Sequence, residues 1–362
     1  MKETTSLSDQ QREQLTVLLG VARDLTASLA AADRYTRVID AVRRVIPCDA
    51  ACLLRVEGPY LTPVAAFGLS AEAAARRYDR RVEPRHHAYT ARDTVLYALG
   101  VGLGADPLDE AELPFVYEGV DGRSLRALPT LANVLGHPGF WAREPDTGID
   151  WRRILHAEQG FRLHQMLPAA AEVEGRTRVT ALWDKGAAKG ALMQVERDIV
   201  DRSSGALLAT VTQLSILRGD GGFGSDPSAG APEPPHELPT RRADAVCELP
   251  TQPRAALIYR LSGDYNPLHA DPAVARSAGF ERPILHGLCT LGVAGHAVLK
   301  AVLGYDPARF AAMRVRFTAP VFPGDTLRTE LWVDGDTVSL RTTALERNRV
   351  VLDHGRVDLR PA

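Results

Sequence analysis

Two segments of similar length, separated by a stretch that cannot pack a core, set the strongest limit on how this chain can fold. Residues 220–239 read DGGFGSDPSAGAPEPPHELP, and this Gly, Pro, Ser and Asp content is typical of a linker. The flanking segments, 84–219 and 240–362, each run from a polar start through a helical pattern into long strand-like runs. The repeated order predicts an internal duplication of an α+β unit, in which an antiparallel sheet wraps one helix.

Local patterns place the elements of both units. A helix is predicted to begin at Thr90, because Asp93 stands three residues later and can close the capping pattern, and another is predicted after Gly287. Alternation of apolar and polar residues predicts the strands. The predicted strands are 189–201, 205–217, 314–317, 326–333, 337–346 and 349–359.

Composition limits the partners and the compartment. The 362 residues carry a formal net charge of -2, which gives no argument for nucleic acid or for an anionic membrane surface. The polar start MKETTSLSDQQREQ lacks a signal-peptide pattern, so we expect a cytoplasmic protein that does not associate with membranes. The cysteines form no CxxC pair, which favours free thiols. They are Cys48, Cys52, Cys247 and Cys289.

An acid, an amide and an imidazole lie within six residues of the second unit. Residues 259–271 read YRLSGDYNPLHAD, which contains Asp264, Asn266 and His269. Gly263 and Pro267 oppose a regular helix there, so a tight turn would bring the acid and the imidazole to one point. The alternative is an ordinary Asx turn followed by a surface histidine.

A converging carboxylate and imidazole suit chemistry on water. The two groups can hold one water molecule, so that one takes its proton while the other supplies a proton to a neighbouring carbon. Histidine suits this task because its pKa ordinarily lies near neutrality. Residues 284–291, ILHGLCTL, add a helix that opens at Gly287, where a backbone N–H can meet a developing oxyanion.

Several motifs in one order resemble a known family. YRLSGDYNPLHA is similar to the hydratase 2 motif of the MaoC-like (R)-specific enoyl-CoA hydratases, and TARDTVLYALGVG, LPFVYEG, ALPTLANVLGHPGF, LHAEQ, DKGAAKGA and VRFTAPVFPGDTL resemble the two-unit form of that family. The likeness covers about residues 84–360. It implies a double hot-dog fold of two antiparallel sheets, each wrapping a central helix, with 84–219 as a non-catalytic hot-dog and 240–362 as the catalytic one.

The resemblance also implies roles for individual residues. Asp264 and His269 would bind and activate water, and Asn266 would support them and contact the substrate. The backbone N–H of Gly287 would hold the thioester carbonyl oxygen.

Four further residues fall where the family contacts coenzyme A. His156 and Ala157, in LHAEQ, would contact the thioester, although the family usually has Gly in place of Ala157. Lys185 would face the coenzyme A phosphates, and Phe317 would line the same channel. From the sequence pattern alone, Lys185 also fits a solvated turn, Phe317 a core position and His156 an exposed side chain.

The implied activity is the reversible hydration of trans-2-enoyl-CoA to (R)-3-hydroxyacyl-CoA, without a metal or redox cofactor. The first unit has Asp93 but lacks the Asn and His of the motif, which implies one active site per chain and, in the family, a wider acyl pocket. The resemblance also implies a homodimer. Two other functions stay open: an acyl-CoA-binding regulatory module, and a hot-dog thioesterase that would release free coenzyme A.

The first eighty residues resemble part of another family. Residues 35–55, YTRVIDAVRRVIPCDAACLLR, are similar to the start of the GAF sensor domain of nitric-oxide-responsive activators, and only the front half of such a domain is present. We expect this truncated segment, 1–80, to pack on the hydratase region or on a second copy without a sensing role. Metal ligation through Cys48 and Cys52 lacks a supporting His or carboxylate spacing. Helices are predicted at 15–30, 34–45 and 71–78, and strands at 51–56 and 61–66.

Overall fold

The computed structural model describes residues 82–119, 125–144, 147–224 and 231–361, together with the backbone of β1 (Ala51–Glu57) and β2 (Tyr60–Phe67). These two strands pair antiparallel, as their sequence predicted. The helices predicted at 15–30, 34–45 and 71–78, and the side chains of Cys48 and Cys52, lie outside the described residues. The GAF-like resemblance therefore stays a prediction.

Ten further strands lie in the described part of the chain outside β1 and β2. Their burial alternates residue by residue, most regularly along 191–199, which is the pattern of strands with one face in the core. They are β3 (Arg85–Tyr89), β4 (Ile154–Leu163), β5 (Ala171–Asp184), β6 (Ala191–Asp201), β7 (Leu207–Leu217), β8 (Ala245–Pro250), β9 (Phe310–Phe317), β10 (Thr326–Asp334), β11 (Thr337–Ala344) and β12 (Arg349–Leu359).

The strand order repeats between the two units. All ten strands form one antiparallel sheet in the order β3-β5-β6-β7-β4-β9-β12-β11-β10-β8. Counted from either edge, the order is the first, third, fourth, fifth and second strand of the unit. The duplication predicted from the sequence is thus visible in the topology.

The two antiparallel sheets predicted for the units are joined into one in the structure. β4 and β9 pair antiparallel at the centre, with Phe161 opposite Met313 and Glu158 opposite Arg316. The buried carboxylate of Glu158 accepts hydrogen bonds from Arg314 and Arg316. Alternation along a strand shows which face is buried but not which edge is paired, so the sequence could not reveal this junction.

Among the described residues, one long helix lies in the core, and the other helices are shorter. This helix is buried without interruption from Cys289 to Leu299, as expected for a helix that is apolar on all sides. The predicted capping at Thr90 is present, because its N–H donates to Asp93 Oδ2 at 2.8 Å. No described helix is both long and apolar enough to span a bilayer. The helices are α1 (Ala91–Gly100), α2 (Leu113–Val116), α3 (Ala255–Tyr259), α4 (Pro272–Ser277) and α5 (Gly287–Ala301).

Residues of the first unit pack directly on the second around α3 and α5. The rings of Tyr97 and Tyr259 lie 5.8 Å apart, and the Sγ of Cys289 donates to the carbonyl oxygen of Gly100 at 3.4 Å. Cys247 and Cys289 are free and buried, as predicted. The segment that follows Tyr259, which contains Asp264 and His269, is therefore held against the first unit.

Candidate active site

The motif after α3 turns at Gly263. A 3-10 turn at Arg260–Ser262 ends there, and Gly263 has a φ of 118°, a left-handed conformation that favours glycine. The turn sends Asp264 out of the helical path. A second 3-10 turn, Pro267–His269, then begins directly after Asn266.

Two consecutive Asx turns fix the motif from Asp264 to His269. Asp264 Oδ1 accepts from the N–H of Asn266 at 3.1 Å, and Asn266 Oδ1 accepts from the N–H of Leu268 at 3.1 Å. Asn266 thus caps the 3-10 turn that carries the histidine. The alternative of an Asx turn with a surface histidine was half right, because the turns are present but His269 is only 8% exposed.

The hydrogen bonds of His269 define its tautomer. Nδ1 lies 2.9 Å from the carbonyl oxygen of Ile284, which can only accept, so Nδ1 carries the proton. Nε2 is then a bare acceptor. Burial lowers the pKa of His269, against the opposing effects of the Ile284 carbonyl and of Asp264, so the ring is neutral near pH 7 and can take a proton.

The acid and the imidazole converge, together with a second histidine. One carboxylate oxygen of Asp264, one ring nitrogen of His269 and one of His286 lie within 4.8 Å of one another. A water molecule with two hydrogen bonds of about 2.8 Å at a tetrahedral angle spans about 4.6 Å. The group is therefore spaced to hold one water.

The same three residues have the side chains of a metal site, but their geometry does not favour one. The rings of His269 and His286 stack with centroids 3.8 Å apart and planes 28° apart. Lone pairs of stacked imidazoles lie in nearly parallel planes and do not converge on one ion. The Nδ1 of His269 is also engaged with Ile284.

Gly287 is the first residue of α5, directly beside this group. The first N–H groups of a helix have no partner within the helix and carry partial positive charge. A Cβ at Gly287 would lie 3.2 Å from Cε1 of Phe317, so glycine is what allows this close approach. The helix start can therefore present an N–H to an oxygen bound near the pair.

Phe317 and His156 continue the site along the sheet. Their rings meet edge to face at 4.8 Å, and both side chains are half-buried. Phe317 also packs against the hydrophobic core, so one side chain combines a core position with a place beside Gly287. His156 Nε2 lies 2.9 Å from Gln159 Oε1, and Gln159 donates to Asn133 Oδ1 at 2.9 Å, which fixes the ring.

The backbone at Ala157 is irregular, and the neighbouring imidazole of His156 has a shifted pKa. The pairing of β4 with β7 slips between His156 and Glu158, so Ala157 lies in a bulge that redirects the strand. Burial lowers the pKa of His156 to about 4, which keeps its ring neutral.

Lys185 lies exposed in the hairpin between β5 and β6, as a solvated turn lysine does. The neighbouring Asp184 accepts from the N–H groups of Gly186, Gly222 and Gly224, at 2.8, 2.8 and 2.6 Å. The glycine-rich run after β7 is therefore tied to this hairpin, with two of its amides already bonded to a carboxylate.

A cleft of about 510 Å³ opens beside the motif, a size typical of ligand sites. Gly263 and Tyr265, on either side of Asp264, line it together with residues of the first unit. A smaller cavity of about 80 Å³, inside the first unit, adjoins it at His137. No role was predicted for His137 or His286. The feature of the sequence that could have indicated a role for His286 was its position directly before Gly287, in ILHGLCTL.

Comparisons with known proteins identify the family of the chain. Residues 236–354 match the MaoC like domain family, and residues 87–219 match the MFE-2 hydratase 2 N-terminal domain family. The chain is 41% identical over 284 residues to the peroxisomal enoyl-CoA hydratase 2 of Arabidopsis thaliana, covering 76% of this chain and 91% of that protein. It is 42% identical over 282 residues to the 3-hydroxyacyl-thioester dehydratase Y of Mycobacterium tuberculosis, covering 76% and 94%.

A solved structure supports the same fold. The MaoC-like dehydratase from Phytophthora capsici superposes with a TM-score of 0.69 at 32% identity, and the match covers 80% of this chain and 99% of that one.

Proposed function

The chain belongs to the MaoC-like, hydratase 2 family, and from that premise we propose that Asp264 and His269 activate the water that this enzyme adds to a trans-2-enoyl-CoA. The enzyme is a hydro-lyase of acyl-CoA metabolism, as its relatives are named. One observation supports the residue assignment most: the carboxylate of Asp264 and a ring nitrogen of the buried His269 lie within 4.8 Å.

In the proposed reaction the water oxygen bonds to C3, and C2 gains a proton. Nε2 of His269 is the bare acceptor for the water proton, and Asp264 holds the water by a second hydrogen bond. The protons balance, because the one that Nε2 takes from the water is passed to C2, which returns the ring to its neutral state. The cycle thus needs neither metal nor redox cofactor. The reverse order of the same steps is the dehydration.

Addition at C3 places negative charge on the thioester oxygen. We assign the N–H of Gly287 to that oxygen, because a helix start offers an unpaired donor and a favourable dipole. A donor aimed at the developing oxyanion stabilises the transition state more than the ground state. Asn266 supports the pair by capping the turn that carries His269.

The remaining side of the site is assigned to coenzyme A. His156 and Phe317 form an edge-to-face pair against Gly287, and Ala157 follows in the bulge, so a thioester held at Gly287 lies beside them. Lys185, at the exposed hairpin, is assigned to the phosphates. The methyl group of Ala157 narrows the channel relative to a glycine.

We assign the acyl chain to the 510 Å³ cleft shared by both units. Gly263 and Tyr265, the neighbours of Asp264 in the chain, line this cleft, which supports the assignment. Asp93 of the first unit is engaged with Thr90 in the cap of α1, which supports a single catalytic centre per chain.

Three finer proposals rest on sequence alone. The protein forms a homodimer, acts in the cytoplasm, and carries a truncated GAF-like segment at 1–80 that packs without sensing a ligand. Stoichiometric binding of iron or a small ligand by the isolated segment would contradict the last of these.

The test uses two thioesters in parallel, crotonyl-CoA and trans-2-decenoyl-CoA. Loss of the conjugated-thioester absorbance without release of free thiol supports hydration, and the faster substrate reports the size of the acyl cleft. Thiol release at the same rate would mean a thioesterase. No reaction with either substrate, under conditions in which both bind, would contradict the proposed function.

A further inference from the structure

His286 lies between the two catalytic groups and is fixed on both sides in the chain. It directly precedes α5, and its carbonyl oxygen accepts from the N–H groups of Cys289 and Thr290 at 3.1 Å each. The N–H of Leu285, just before it, donates to the carbonyl oxygen of Val321 at 2.7 Å. The side chain is 1% exposed. Its ring therefore has little freedom to move.

The ring of His286 contacts both members of the catalytic pair. Its Nε2 lies 3.2 Å from the main-chain carbonyl oxygen of Asp264, which can only accept, so Nε2 carries the proton. One face of the ring stacks on His269 at 3.8 Å. Tyr259 packs against His286 with ring centroids 5.1 Å apart.

We propose that His286 is a positioning residue for the hydration, an inference that rests on the proposed function of Asp264 and His269. Its hydrogen bond holds the main chain at Asp264, and its stacked ring sets the plane of His269. The carboxylate and the bare Nε2 then meet at one water. Displacing reacting groups by about 1 Å can cost two orders of magnitude in rate, so this restraint acts on turnover.

The protonation state of His286 suits this role. With the proton on Nε2, its Nδ1 is a buried acceptor that has no partner among the described residues. Burial, and then the neighbouring His269, lower the pKa of His286 to about 4, against the opposing effect of Asp264. A neutral neighbour does not repel the proton that His269 gains during the reaction.

The test compares two substitutions that differ in the reach of one donor. In His286→Gln the amide nitrogen reaches about as far as Nε2 and can keep the bond to Asp264. In His286→Asn the amide reaches only as far as Nδ1 and loses it. We expect kcat for crotonyl-CoA to be about tenfold lower in the Asn variant than in the Gln variant, with similar KM, because only turnover depends on the alignment.

A double-mutant cycle separates positioning from simple destabilisation. In an Asp264→Asn background no carboxylate is left to align, so the kcat ratio between His286→Gln and His286→Asn should fall to about one. Equal kcat values in the wild-type background, or a tenfold ratio that persists without the carboxylate, would overturn the proposal.

Two further variants are measured. His286→Phe fills the space of the ring but has no donor, so we expect a lower kcat and an unchanged KM, and this variant stays informative if the Gln and Asn variants do not fold. A wild-type kcat in His286→Phe would also overturn the proposal. His164→Phe, at an exposed histidine directly after β4, is the matched control with an unchanged rate. Hydration by the wild-type protein tests the proposed function, whereas the ratios among the His286 variants test the positioning role. Failure of the one can therefore be distinguished from failure of the other.

Discussion

Glu112 is a buried carboxylate that joins the first unit to the central helix of the second. It accepts hydrogen bonds from the N–H of Gly104 at 2.6 Å and from the hydroxyl of Tyr305 at 2.7 Å. The Nε2 of His296 lies 3.2 Å away, and Lys300 Nζ lies 3.6 Å away. The side chain is only 4% exposed, so these contacts replace its hydration.

The pKa of Glu112 gives the size of this contribution. Burial opposes ionisation and would raise the pKa, but the hydrogen bonds from His296, Tyr305 and Gly104 outweigh it and hold the pKa at about 2, against an ordinary 4.5. Since each pKa unit is worth about 1.4 kcal/mol, the charge stabilises the fold by about 3 kcal/mol above pH 4.5. This stability is lost as the pH falls from 4.5 toward 2, and about 1 kcal/mol of it is gone by pH 4.

Glu112→Gln keeps the volume and one acceptor oxygen but removes the charge. We expect the free energy of unfolding in urea, followed by tryptophan fluorescence, to drop by about 3 kcal/mol at pH 7, and the gap between the two proteins to narrow below pH 4.5. Asp109→Asn is the matched control, because Asp109 binds the same Lys300 at 3.2 Å near the surface and should cost less than about 1 kcal/mol.

Two results would refute this reasoning. One is a Gln variant within about 0.5 kcal/mol of the wild type at pH 7, which would mean that the carboxylate charge adds nothing. The other is a gap that stays constant between pH 7 and pH 3, which would mean that the loss comes from packing and not from ionisation.

Three further predictions concern activity. Asp264→Asn should lower kcat by on the order of 10² or more with a nearly unchanged KM, because the amide can keep the bond to the Asn266 N–H but lacks the negative charge that holds the water and offsets the charge that His269 gains; unchanged turnover in the absorbance assay would remove the carboxylate from the mechanism. The kcat/KM profile should fall toward acid pH with a midpoint below 6.5, because burial lowers the pKa of His269 and only the neutral ring has a bare Nε2; a midpoint above 6.5 contradicts this. Lys185→Ala should raise KM for crotonyl-CoA several-fold but leave crotonyl-pantetheine, which lacks the nucleotide phosphates, unaffected; an equal effect of Lys189→Ala, in the same hairpin, would argue against a specific contact.

Much of the second unit could be predicted from local patterns. The strand predicted at 349–359 matches β12 at both ends, and the helix predicted after Gly287 is α5. Both have long, regular periodicity, the strongest local signal. The Asp264–His269 turn was also predictable, because Gly, Asn and Pro have narrow backbone preferences that act within a few residues.

Other features depended on contacts that no local pattern shows. β5 (Ala171–Asp184) was missed although its residues alternate, and its Gly175 and charged outer face hid the signal. The place of Phe317 between the core and the candidate site follows from its contact with His156, a residue 161 positions earlier. The role proposed for His286 likewise could not be predicted from a local pattern, because it depends on the positions of Asp264 and His269 in the folded chain.

The pairing of β4 with β9 has a consequence for how the two units diverged. In a dimer of identical subunits, any change in sequence appears on both sides of the interface. Here the shared sheet is formed within one chain. Each copy of the repeat can therefore change in sequence while it stays paired with the other copy in a one-to-one ratio. The capped helix at Thr90 in one copy and the acid–imidazole motif in the other can therefore be kept side by side in every molecule.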